Sequence, residues 1–406
     1  MLECPSVCVT QKGTDFLQGG HVWVYADEVT GVTGSPENGG TVNVFSSKNR
    51  YLGTGFYNSC SKIRVRIVSR NANDRFDEAF WERKLRWAVA YRRQVMGSDF
   101  ACCRLIFGEA DAFPGLTVDR FGDVLVTEVL SCGIERIKAL LYRLLVRILR
   151  EEYDVAIRVL YERNESPLRT LEGLPTGKGY YTDDGLTAAG TVCRITENGI
   201  VYNVDYVNGQ KTGFFLDQKY NRAAIRPIAA GRRVLDCFTH TGSFALNAAQ
   251  AGAESVTALD ISADALEVAR ANAELNGLSD RVQFVRADVF DYLTEAAGRG
   301  EFPFDFVILD PPAFTKSRDT LKSAIRGYRE INRRAMQLLK RGSFLATCSC
   351  SHFMTETYFR QMLHNAAKDA GVSLRQIEAR QQSPDHPILW NVPETDYLKF
   401  FIFQIV

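Results

Sequence analysis

No stretch of this chain is long and apolar enough to span a membrane. The most leucine-rich region, Ile134 to Ile148, is broken by Glu135, Arg136, Lys138, Arg143 and Arg147, whereas a spanning helix needs about 20 predominantly apolar residues. The opening residues, MLECPSVCVT, hold no basic region ahead of an apolar one, so no signal peptide is expected. Neither charge is in excess: 49 Lys and Arg stand against 48 Asp and Glu, a net +1. That balance excludes a histone-like partner mode, but not a nucleic-acid enzyme with local basic patches. The ten cysteines are scattered and form no pair of C-x-x-C motifs with zinc spacing, so no metal site is expected. Without a secretion signal they read as reduced thiols, mostly small core residues, of a cytoplasmic protein. No internal repeat and no low-complexity segment is found.

The composition, 46% hydrophobic and 24% charged over 406 residues, is that of a globular protein of two or three domains. Residues 1–72 read as short β segments between glycine-rich turns, which suggests a small β-barrel. In its last segment Ile63, Val65 and Ile67 alternate with Arg64 and Arg66, predicting one buried and one basic face. Residues 73–190 read as a small α+β domain. It has a helix over Asp77–Val95, strands at Leu116–Val118 and Val124–Val129, an amphipathic helix over Ile134–Ile148, and a strand at Val155–Tyr161. From 191 to 406, apolar strands alternate with helices, which implies a parallel, doubly wound α/β sheet. There Ser262 is expected to cap a helix and Gly277 to stop it, while Val372–Ile377 and Tyr397–Ile405 are expected to pair as an antiparallel edge. Two stretches are locally basic: Lys62–Arg104 has eleven Lys/Arg against five Asp/Glu, and Pro311–Arg341 has nine against two. A basic face is most often only solvated surface.

In an open α/β sheet, ligands bind outside the carboxyl ends of the strands. Those ends carry Asp236, Asp260, Asp288, Asp310 and Cys350. One strand-end aspartate is often just a helix cap; four in succession with a thiol favour a ligand site. The loop after the first strand, DCFTHTGSF (236–244), lacks the G-x-G-x-x-G fingerprint that a pyrophosphate requires. This disfavours a nicotinamide dehydrogenase. Asp260, with two acceptor oxygens, suits a pair of ribose hydroxyls, Asp288 suits the amine of adenine, and Gly242 marks a sharp turn or a close approach to ligand. An adenosine ligand without pyrophosphate follows, and S-adenosylmethionine fits. The candidate cofactor set is Asp236, Phe238, Thr239, Gly242, Asp260, Ile261, Asp288, Asp310 and Gln218. The turn DPPAF (310–314) is stiffened by Pro311 and Pro312 and offers Phe314 either as a stacking surface or as a core residue. In TCSCSH (347–352), Cys348 and Cys350 share one face of a strand, with Cys350 nearer its exit. His352 reads as a polar loop residue rather than a base.

These motifs carry a resemblance. The last third resembles class I S-adenosylmethionine-dependent methyltransferases, and the whole chain resembles the RlmI-like family of ribosomal RNA methyltransferases. The stretches that carry it are GHVWVYA (20–26), GEADAFPGLTVDRFGD (108–123), GQKTGFFLDQ (209–218), DCFTHTGSFAL (236–246), DPPAF (310–314), SCS (349–351) and DHP (385–387). The resemblance implies a PUA-type RNA-binding barrel, a small α+β domain and a Rossmann-like methyltransferase domain. It also implies carbon-5 methylation of cytosine in large-subunit ribosomal RNA. The broader group includes guanine nitrogen-7 methyltransferases, which need no thiol, and a non-catalytic RNA-binding assembly factor is a further alternative. Ala313 stands where cytosine enzymes with two active-site cysteines carry the second one.

On the cytosine reading, Cys350 is the nucleophile that adds to carbon 6, with Cys348 in reserve, and Asp310 contacts the base edge. Some base, not identified from the sequence, then removes the carbon-5 proton. Phe314, Lys316, Arg64 and Arg66 are the candidate RNA contacts. The expected partner is large-subunit ribosomal RNA; no membrane is expected, and a homodimer is left open.

Overall fold

The computed structural model describes residues 4–183, 185–300, 302–315 and 317–406. It contains two compact units. The first takes the chain up to Ile195 together with Val204–Leu216 and Pro384–Thr395; the second takes Thr196–Asn203, Asp217–Ser383 and Asp396–Val406. No helix among the described residues is long and apolar enough to cross a membrane.

The first unit begins with strands Ser6–Val9 (β1), Trp23–Tyr25 (β2), Val29–Thr33 (β3), Thr41–Ser46 (β4), Tyr51–Tyr57 (β5) and Ile63–Ser69 (β6), and helix Gln11–Gln18 (α1). They form a six-stranded sheet in the order β2-β6-β5-β4-β1-β3, around Val7, Val9, Leu17, Val24, Val42, Val44, Val65 and Ile67. Helix α1 was not visible in the sequence. It buries Leu17 beside only Gly13 and Thr14, and Thr10 caps it by accepting from the Gly13 N–H.

Helix Glu78–Met96 (α2) follows, with Asp77 as its N-cap. A second sheet then combines Cys102–Phe107 (β7), Leu116–Phe121 (β8), Val124–Val129 (β9), Val159–Asn164 (β10) and Gly177–Tyr181 (β11), ordered β11-β10-β9-β8-β7. Helices Cys132–Tyr153 (α3) and Leu168–Leu171 (α4) accompany it. The crossover α3 joins β9 to its parallel neighbour β10. It ends at Asp154, whose φ of 55° turns the chain into the left-handed region. The strand expected from Val155 therefore starts only at Val159.

The hairpin Val192–Glu197 (β12) and Ile200–Asp205 (β13) turns on Asn198 and Gly199, both at positive φ, the backbone a two-residue hairpin demands. Segment 384–395, expected with the third region, belongs to the first unit. Its contacts lie with the first unit: Asp385 accepts from the Arg104 N–H at 2.8 Å, and its carbonyl accepts from Arg92.

The second unit holds the short helices Lys219–Ala224 (α5) and Arg226–Ala229 (α6), then an alternating series. Its strands are Arg233–Cys237 (β14), Ser255–Asp260 (β15), Val282–Arg286 (β16), Phe306–Leu309 (β17), Phe344–Ser349 (β18), Leu374–Arg380 (β19) and Lys399–Ile405 (β20). Its longer helices are Ser243–Gln250 (α7), Ala263–Leu275 (α8), Val289–Arg299 (α9), Leu321–Leu338 (α10) and Glu356–Ala370 (α11). The sheet order is β16-β15-β14-β17-β18-β20-β19. The first five strands are parallel. Central strands such as Phe-Val-Ile-Leu (306–309) are buried throughout, as a sheet covered on both faces requires. β20 runs antiparallel to both β18 and β19. The expected antiparallel pair thus forms, but β20 is inserted into the sheet and β19 is the edge. The strand order reverses between β14 and β17, which places the ligand crevice at their carboxyl ends.

Candidate active site

The turn after β14 is tightly wound: Phe238, His240 and Gly242 have φ of 65°, 50° and 83°. Gly242 is glycine for a second reason, since a Cβ there would sit 3.1 Å from the Ala269 Cβ on α8. It starts helix α7 and packs against its neighbour. The turn is held from two sides. Thr239 Oγ1 donates to Asp236 Oδ2 at 2.6 Å, and the Ala245 N–H donates to the same oxygen at 2.9 Å. The His240 N–H donates to Asp260 Oδ2 at 2.8 Å, while the Ser262 N–H donates to Asp260 Oδ1 at 2.9 Å. Asp260 is thus fixed in orientation at the end of β15, and beside it Ile261 is 63% exposed.

Asp236 is fully buried, and burial pushes its carboxyl up to about 7, with Asp310 and Asp260 adding to the rise. Its Oδ1 accepts no hydrogen bond from any described residue. Asp288 is exposed and caps α9, its Oδ1 accepting from the Phe290 and Asp291 N–H groups. This aspartate thus caps a helix with one of its two oxygens.

At the other side of the crevice, Asp310 Oδ1 accepts from Gln218 Nε2 at 3.2 Å and from the Cys348 thiol at 2.9 Å. Gln218 is buried, and its carbonyl accepts from Asn221. Its amide N–H groups reach Asp310 and Cys348. Cys348 is fully buried; burial, then Asp310, holds its thiol well above the ordinary range. A nucleophilic thiolate is disfavoured there. Cys350 lies one residue past the end of β18 and is half-buried.

Three of the candidate RNA contacts engage neighbours within the protein. Arg66 does not present a basic face: its guanidinium bonds Glu109 and Glu172, both at 3.0 Å, and lies over the Trp23 ring. Arg64 is half-buried and donates to the Asn58 carbonyl. Phe314 is half-buried, its ring 4.5 Å from Tyr328 and against Gly327 of α10. Lys316 lies outside the described residues.

Sequence reasoning missed Lys399. It is a buried lysine on β20, at 4% exposure, whose ammonium donates to the Ser351 carbonyl at 2.6 Å and the Tyr397 carbonyl at 2.8 Å. Burial pushes it down to about 8. The available signal was a single charge inside the apolar run LKFFIFQI (398–405).

Residues 187–404 match the family model of S-adenosylmethionine-dependent methyltransferases, and residues 7–70 match a PUA-like domain. A structure described as a SAM-dependent methyltransferase from Streptococcus mutans covers 98% of this chain and 99% of its own, with TM-score 0.81 at 22% identity. The fold and the crevice thus define an S-adenosylmethionine-dependent methyltransferase with a PUA-like domain. Among curated relatives, ribosomal RNA large subunit methyltransferase I of Klebsiella pneumoniae (strain 342) is 38% identical over 95% of this chain and 94% of its own. The protein of that name from Pseudoalteromonas translucida is 38% identical over 98% and 99%. The chain belongs to this methyltransferase I family.

The residues present fit the cofactor. A pinned carboxylate, an exposed apolar side chain and a buried acceptor without a hydrogen-bond partner stand at one rim. S-adenosylmethionine brings hydroxyl and amino donors and an apolar base to such a set. Asp260, Ile261 and Asp236 would hold it, and it supplies an electrophilic methyl group.

Proposed function

We propose that this protein methylates carbon 5 of a cytosine in large-subunit ribosomal RNA through a covalent bond from Cys350. The observation that carries this reading is the contrast between the two thiols: Cys348 is sealed and bonded to Asp310, while Cys350 stands half-buried at the strand's exit. The RNA class is that in the names of the relatives. Carbon 5 of cytosine is a poor nucleophile. Addition of the Cys350 thiolate to carbon 6 forms an S–C bond and an enamine, whose carbon 5 takes the methyl group as the sulfonium–methyl bond breaks. A base then removes the carbon-5 proton, and the returning electrons expel the thiolate. On this reading Asp310, bonded by Gln218, contacts the base edge. A target inside a helix must first leave its stack.

The test uses RNA with 5-fluorocytosine at the target. Fluorine blocks the final elimination, so the intact protein is expected to be trapped covalently on it. Cys350→Ala should abolish turnover with S-adenosylmethionine binding retained, and Cys348→Ala should be milder, losing mainly packing. A fully active Cys350→Ala protein with no adduct removes the reading and favours a ring-nitrogen target.

A further inference from the structure

Lys399 sits in the wrong kind of place for a lysine. β20 is otherwise Phe, Phe, Ile, Phe, Gln and Ile, nearly all buried. Among the described residues no carboxylate lies within ion-pair distance of its ammonium. A charge taken from water without a counter-ion is costly. An apolar side chain of similar length would fill the strand without that cost, so packing does not account for the ammonium.

Its bonds and its neighbours do. Lys399 lies opposite Ser349 in the β18–β20 register. Its two carbonyl acceptors, Ser351 and Tyr397, tie the chain just after Cys350 to the start of β20. The charged and titratable groups facing the ammonium are Asp396, Cys350, Glu356 and Cys348, with His352 beside Asp396. Tyr328, on α10, also faces Cys350. Burial raises the phenol of Tyr328 far out of the working range, so it adds no negative charge at neutral pH. Of these groups, the Lys399 ammonium is a cation that faces Cys350.

We propose that Lys399 is a positioning residue for Cys350: one of its N–H groups holds the Ser351 carbonyl next to Cys350, a second ties it to Tyr397, and its charge favours the thiolate. The inference rests on the reading of Cys350 as the nucleophile. The charge would serve twice in a turnover, when the thiolate attacks carbon 6 and when it is expelled. It is present at neutral pH and lost as pH rises through about 8, where the ammonium gives up its proton.

The test is site-resolved: alkylation of Cys350 by iodoacetamide, followed by peptide mass spectrometry across pH, on the full chain. In the unaltered protein the midpoint for Cys350 is expected below the ordinary cysteine value of about 8.5. In Lys399→Met it should rise by about one pH unit, with methylation at pH 7 slowed about tenfold and S-adenosylmethionine binding unchanged by calorimetry. Lys399→Arg, which keeps the charge, should restore the low midpoint. An unshifted midpoint in a Lys399→Met protein that still binds cofactor overturns the proposal. So does a midpoint above the ordinary value in the unaltered protein, which needs no variant to fold. Failure of the parent reading looks different: Cys350→Ala stays active while the alkylation shift survives.

Discussion

Both oxygens of Asp260 already accept a backbone N–H, yet each keeps a lone pair for a ligand hydroxyl. The side chain fixes the His240 turn, and we propose that it also holds cofactor. Asp260→Ala is expected to weaken S-adenosylmethionine binding by about 1–3 kcal/mol through loss of a charged acceptor. Calorimetry checks this, and unchanged affinity would assign Asp260 to the turn alone. Other single residues were less legible. Alternation marked Arg66 as polar-facing, and it is, but Glu109 and Glu172 lie 43 and 106 positions away along the chain. Long-range pairing of that kind leaves no local mark. The same limit applies to Gln218, whose partners Asp310 and Cys348 come from later strands.

At the scale of elements, apolar periodicity was a reliable guide wherever a strand or helix buried one continuous face. α2 and α3 and the strand ends at Asp260 and Leu309 lie within a few residues of expectation, because their burial pattern is written in adjacent residues. Register and insertion are different, since the place of β20 between β18 and β19 depends on partners. So does the approach of α3 to β5. A Cβ on Gly133 would fall 2.0 Å from Phe56 Cγ, although nothing local demands glycine there. Gly133→Ala is expected to destabilise the first unit by about 1–3 kcal/mol through overpacking. Chemical denaturation followed by tryptophan fluorescence checks it.

At the scale of the whole molecule, the buried Asp236 makes stability depend on pH. Its folded carboxyl, at about 7, binds a proton more tightly than the unfolded side chain near 3.8. The sign follows: the contribution is fully present below about 4 and is lost as pH rises through about 7. The shift corresponds to something on the order of 4 kcal/mol. Asp236→Asn should flatten this part of the profile, so that the gap between variant and parent changes in the variant's favour from pH 4 to pH 7.5. Thermal melting of the cofactor-free protein across that range measures it. A constant gap would mean that the carboxyl is ionised throughout.

The order of strands and helices, the acidic rim and the family were determined by the sequence itself, because each is carried by residues close together in the chain. Tertiary structure alone decided which thiol is sealed and which stands at the exit, which arginines are neutralised, and where the buried Lys399 points its charge. Those properties are sums over neighbours from distant segments. Burial and electrostatics act through space, so β18 and β20 acquire a common chemistry only when the sheet brings Ser349 and Lys399 face to face.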